Sequence, residues 1–313
     1  MARDPAPEDV RRRAEKRKAA REARDWDEAD RLKAEIEAAG WKVVDGPRGF
    51  MLERARPPDV EEDGTVRYGS SGAVPSVLDA APTTAVSVVR AVPDHAQGIG
   101  TVVGDGVQTI LVANRPGTEL PDGDPEVLLL NGWPGTAVAL NAGIRRARGS
   151  VVAIADPALD VPADALAALA AALDDPEVAV VGPWGSVSDD LRQFDPAPPG
   201  DATVIDGRLL VFRRSDFAEL GPLDEGFADP HRLDAWWSLV LRDRGLDEPP
   251  RRALVVDVGL GPVTDGETAA EAARETGDDD DDEAPIAGQT RAQRRNFYRL
   301  VRAYGGARHL TTE

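Results

Sequence analysis

Two aspartates, Asp156 and Asp160, follow an unbroken apolar run from Val151 to Ala155. Such a run has the pattern of a strand buried on both faces, and in open α/β sheets ligands gather outside the carboxyl ends of the strands. Carboxylates at that exit are therefore where chemistry is expected, and their hard oxygens suit Mg²⁺ or Mn²⁺. Asp160 has a second use, because just before Val161-Pro162 and an alanine-rich stretch it can cap a helix. Arg213 and Arg214 after a strand, and Arg242 and Arg244 at a helix end, either meet phosphates or are surface charges. Trp236 and Trp237 either stack on a sugar ring or pack in the core. His95, His231 and His309 show no metal-ligand spacing.

The elements that must hold these residues read as alternating helices and strands. A helix from Ala137, capped by Thr136 and stopped by Gly149, leads into the strand Val151 to Ala155. Strands are expected at Ala85–Ala91, Thr109–Ala113, Val127–Leu130, Val178–Val181 and Leu209–Phe212, with a further helix over Pro162–Leu173. That alternation argues for an α/β fold with a mostly parallel sheet.

The stretch AVALNAGIRRARGSVVAIADPALD, with Asn141, Gly143, Ala147, Gly149 and Asp156, resembles the family 2 glycosyltransferases of the GT-A fold. A second block, VFRRSDFAELGPLDEGF followed by LDAWWSLVLRDRG, resembles their acceptor-side segment. The resemblance implies a nucleotide-diphosphate sugar donor, a divalent metal (Mg or Mn) held by Asp156 with Asp160, and inverting transfer with Asp234 as the base. It also implies donor contacts from Asn141, Asp156 and Arg213. The aspartate expected after the second strand is Ala113, so Asn114 or Asp94 would have to meet the nucleotide base. Ala158 stands where a second metal aspartate is expected, and Leu233 where a glutamate precedes the base. The rival expectation is a non-catalytic protein that keeps the fold and binds RNA or protein.

Residues 8 to 24 read as a basic helix, and Asp25 with Glu28 starts a second one whose stripe is Ala29, Leu32, Ile36 and Ala39. Strands Trp41–Val44 and Gly49–Leu52 follow around an Asp-Gly-Pro-Arg turn. Ala23, Arg24, Asp25, Trp26, Ala29, Asp30, Gly40, Asp45 and Gly49 give about the first 55 residues a resemblance to the small C-terminal domain of cysteinyl-tRNA synthetase. That resemblance implies contact with tRNA or another RNA through Arg12, Arg13, Lys16, Arg17 and Arg24. Packing or protein contact is the competing use.

The net charge of −19 argues against wholesale binding to nucleic acid or an anionic membrane, and the absence of cysteine excludes disulfides and thiolate metal sites. No apolar stretch reaches the roughly 20 residues of a spanning helix, so a cytoplasmic protein is expected. The organisation expected is an α-hairpin plus β-hairpin domain (1–55), a linker (56–82), a glycosyltransferase-like domain (83–265), an acidic linker (266–290) with the run Asp278 to Glu283, and a basic helix (291–313). In that helix Phe297, Leu300, Val301 and Tyr304 fall at helical spacing, and docking on the preceding domain is the first expectation, with a partner or an anionic surface as the other uses.

Overall fold

The computed structural model describes residues 6–46, 49–54, 57–62, 64–93, 98–102, 104, 106–114, 124–227, 229–261 and 290–311. Asp94, His95 and the acidic run lie outside them. The chain divides into two compact units, Met1–Ser70 and Ser71–Glu313.

In the first unit, α1 (Glu8–Glu22) and α2 (Trp26–Ala38) form a helical hairpin. Asp25 caps α2, its carboxylate accepting the Glu28 N–H at 3.2 Å. The antiparallel pair β1 (Trp41–Gly46) and β2 (Gly49–Arg54) follows. Val10, Ala14, Ile36 and Trp41 make the shared core. The stretch expected as a plain linker carries a short hairpin, β3 (Val60–Glu62) and β4 (Thr65–Tyr68). Its strands escape notice in the sequence because they are short and mostly polar.

The second unit is mixed α/β, as expected. Its strands are β5 (Thr84–Val92), β6 (Val107–Ala113), β7 (Glu126–Leu130), β8 (Gly149–Ala155), β9 (Val178–Gly182), three short pieces β10 (Gly185–Val187), β11 (Asp195–Pro196) and β12 (Gly200–Ala202), then β13 (Val204–Ile205), β14 (Leu209–Arg213) and β15 (Arg252–Val255). The large sheet runs β12-β15-β9-β14-β8-β5-β6-β7. Strands β8, β5, β6 and β7 are parallel, and β14 lies antiparallel between β8 and β9.

Helix α3 (Thr136–Ile144) is capped by Gly135, not by the Thr136 side chain. It lies tight on the sheet because Gly143 has no Cβ, which would stand 2.4 Å from a Val89 methyl. Helix α4 (Ala163–Ala172) packs Leu166 and Leu169 into the main core with Val88, Ala153 and Val211. Helices α5 (Arg214–Leu220) and α6 (Leu233–Arg242) follow β14. The C-terminal helix α7 (Arg291–Tyr304) starts with a capping box between Thr290 and Gln293 and does dock, burying Leu300 with Ala235, Leu239 and Leu310. Among the described residues no helix is long and apolar enough to cross a membrane.

Candidate functional site

The carboxyl end of β8 is held by the turn Asp206-Gly207-Arg208, which connects β13 to β14. Because β14 pairs with β8 so that Leu209 faces Ala155, the start of β14 falls beside the exit of β8. The Asp156 N–H donates to the Arg208 carbonyl at 2.8 Å, and the Asp206 N–H donates to the Trp184 carbonyl at 3.0 Å. The Gly207 N–H donates to the Asp234 carboxylate at 3.0 Å. One three-residue turn thus gathers the ends of β8 and β9 and the start of α6. Spacing alone gave no hint of it, since Asp206, Arg208 and Trp184 belong to no sequence motif.

Arg208 is the centre of the cluster. Its Nε and Nη2 donate to the two oxygens of Asp206 at 2.9 and 2.7 Å, and its guanidinium lies 5.0 Å from the Trp184 ring centroid. Bonding to Asp206 raises the Arg208 pKa above its ordinary value, with Asp156 and Asp234 contributing at longer range.

Asp234 is half-buried, and the Ala235 N–H occupies its other oxygen at 2.8 Å. Desolvation first, then the negative charge of Asp206, push its carboxyl up to about 6, against the pull of the two N–H donors and Arg232. A carboxylate tuned towards neutrality and fixed by two donors has the proton affinity of a general base.

On the other side of Asp156, the loop 157–160 is fastened to residues 100–101. The buried guanidinium of Arg90 donates to the carbonyls of Gly100 (2.8 Å), Pro157 (2.6 Å), Leu159 (2.7 Å) and Thr101 (3.4 Å). Gly100 passes so close that a Cβ there would stand 2.4 Å from the Leu159 oxygen. Burial lowers the Arg90 pKa, while Asp156 and Asp160 act to raise it.

Several expected site residues are otherwise engaged. Asp160 does not cap α4, whose N-cap is Pro162. One of its oxygens accepts both the N–H (2.7 Å) and the hydroxyl (2.9 Å) of Thr101, which holds its carboxyl below the ordinary range. Asn141 is buried rather than open to a donor, its amide exchanging bonds with the Leu223 carbonyl (2.9 Å) and N–H (3.0 Å) and reaching Glu225 (3.3 Å). Arg213 pairs with Val151 at the start of β8, at the opposite end of the strands from Asp156. Its guanidinium bonds the carbonyls of Val178, Leu173 and Asp175. Arg214 and Arg242 are likewise buried on backbone carbonyls, and Arg244 pairs with Glu177. A groove of about 720 Å³ lined by Leu78, Val151, Arg213 and Arg214 belongs to that far end too. Asn114 is half-buried just after β6, and Ala113 is buried beside Leu129. Trp237 is core, edge-on to Phe212 and Phe217, while Trp236 packs against Phe227.

These arrangements bear on a metal. Ala158 brings no ligand, one oxygen of Asp156 accepts the Ala158 N–H at 2.8 Å, and Asp160 is turned to Thr101. Among the described residues no group of three acidic or histidine side chains gathers as a metal site. Asp156 and Asp160 therefore form no closed all-protein metal site, and a divalent ion here would depend on the donor's phosphates for further ligands.

In the first unit Arg17 is buried, and its guanidinium forks onto Asp45 at 2.9 and 3.0 Å, which lowers the Asp45 pKa. Arg17 thus has its guanidinium engaged within the fold of this unit. Arg13 pairs with Asp9 and Glu35, while Arg12, Lys16 and Arg24 are exposed.

No family model matches the chain. Over 50 residues, 16% of the chain, it is 48% identical to a cysteine–tRNA ligase of Opitutus terrae, spanning 11% of that protein's length. Among solved structures it is similar to GalNAc-T7 with UDP, GalNAc and Mn²⁺, at 15% identity and a TM-score of 0.43 over 55% of this chain and 42% of that one. It is also similar to the mannosyltransferase PcManGT of Pyrobaculum calidifontis in complex with GDP-Man and Mn²⁺, at 21% identity and a TM-score of 0.43 over 76% and 80% of the two chains. Both likenesses concern the fold.

Proposed function

We propose that the second unit binds a nucleotide-diphosphate sugar at the strand ends around Asp156 and transfers the sugar with inversion, Asp234 taking the proton of the acceptor hydroxyl. The observation that carries this reading is Asp234 itself. It is a half-buried carboxylate at the start of α6, oriented by the Gly207 and Ala235 N–H groups and raised to about 6, and through Gly207 it is bonded to the same turn that abuts Asp156. Base and strand-end carboxylate both bond to the turn Asp206-Gly207-Arg208, which supports a single displacement between them. Asn114 and Asp156 remain the donor-side residues of this reading. The test is a thermal-shift screen against UDP-, GDP- and dTDP-sugars, followed by turnover of the sugar that binds. Asp234→Asn should keep the shift and lose turnover by at least about a hundredfold. A variant that turns over normally would remove Asp234 from the reaction.

A second reading, a non-catalytic protein that engages RNA through its first unit, is favoured by the exposure of Arg12, Lys16 and Arg24 on or beside α1. Under it, RNA binding weakens steeply with added salt and is lost when those three become glutamate. Binding that ignores both salt and the substitutions would sink it.

A further inference from the structure

We infer that the guanidinium of Arg208 is the cation that meets the donor's diphosphate, so that nucleotide binding at this site needs no divalent metal. The inference rests on the transferase reading above and deepens it. Three observations carry it. The residues that would chelate a metal are diverted: Ala158 is mute, Asp160 is bonded to Thr101, and one oxygen of Asp156 holds the Ala158 N–H. Arg208 is anchored at the strand exit by its own backbone, its carbonyl accepting the Asp156 N–H at 2.8 Å. Its side chain is held in place, with Nε and Nη2 on Asp206 and its central carbon over the Trp184 ring, and it remains partly open to solvent at 36% exposure.

Fixed cations already stand among the carboxylates of the strand exit. Asp206 is paired with Arg208, Asp234 stands next to Arg232, and Asp156 lies in the fields of Arg90 and Arg208. Among the described residues, Nη1 of Arg208 makes no hydrogen bond. A guanidinium held by a carboxylate on one edge presents that remaining edge to a phosphate without first losing rotamer freedom, and charge-assisted bonds of this kind are among the strong ones. The positive charge that a leaving diphosphate requires would then come from the side chain.

The experiment is isothermal titration of the full chain with UDP, GDP and dTDP, in EDTA and then with Mn²⁺, for the wild type, Arg208→Met and Arg208→Lys. Circular dichroism confirms that each variant is folded. The expected result is that one nucleotide binds in EDTA, that Mn²⁺ changes its affinity less than about threefold, and that Arg208→Met weakens it about tenfold or more. Arg208→Lys should recover part of the loss, and the matching nucleoside, which lacks phosphate, should bind all three proteins alike. Nucleotide binding that appears only with Mn²⁺ would overturn the inference and leave the transferase reading standing. So would binding in EDTA that Arg208→Met does not change. Failure of all three nucleotides under both conditions would remove the transferase reading, and the inference with it.

Discussion

Replacing Arg90 with methionine isolates the fastening of the rim beside Asp156. The substitution keeps most of the apolar stem and removes a guanidinium that donates to four backbone carbonyls. Each carbonyl left without a donor inside the protein costs about 1–3 kcal/mol. Three of the four bonds are only part-buried, so water recovers some of that loss, and removing a desolvated charge gives some back. The expected net loss is about 2–4 kcal/mol, which for a unit of this size corresponds to a fall in Tm of about 4–16 °C. Arg90→Lys keeps the charge but cannot reach four acceptors at once, so it should lose roughly half as much. Urea denaturation gives the free energy, and amide exchange locates it, with protection falling first at Gly100 and Val161, whose N–H groups cross between the two loops. A loss below about 1 kcal/mol, or exchange unchanged at those two amides, would refute the view that Arg90 fastens them.

Asp234 makes a pH prediction whose sign follows from its raised value. An acid at about 6 in the folded chain and near 3.8 when unfolded favours the folded state fully below 3.8. That contribution fades as pH rises towards 6 and is absent above it. Asp234→Asn should therefore raise the Tm at pH 7 and match the wild type at pH 4, a difference of about 1–3 kcal/mol read by calorimetry across that range. A variant equally displaced at both pH values would contradict the assignment. Leu300→Ala should cost about 2–4 kcal/mol and release α7 to proteolysis, since Leu300 is wholly buried against α6 and Leu310. An unchanged digestion pattern would show that the helix is held by other contacts.

Legibility in the sequence followed the range of the interactions. The strand Val151–Ala155 and the aspartate at its exit are local, and their apolar pattern gives both away. The α/β class is equally open to reading, because it follows from alternation along the chain. Asn141, Arg213 and Arg17 share a feature the sequence hides: a polar side chain that serves backbone groups or an ion-pair partner looks, in sequence, like one that serves a ligand. Asn141 clamps Leu223, Arg213 collects the carbonyls at the end of α4, and Arg17 forks onto Asp45. The turn Asp206-Gly207-Arg208 was invisible for the opposite reason. Its importance comes from the antiparallel register of β14 on β8, and nothing near the turn in the chain announces that pairing.

The position of β14 has a consequence for how the chain is made. Strand β8 gains its neighbour β5 from sequence already synthesised, but its other edge is covered only by β14, after α4, β9 and the short strands have emerged. During that interval the bare edge of an apolar strand faces outward, which is the geometry that recruits a second chain. A nascent or truncated product ending before Leu209 should therefore be prone to self-association and dependent on chaperones, whereas one that includes Arg213 carries its own cover.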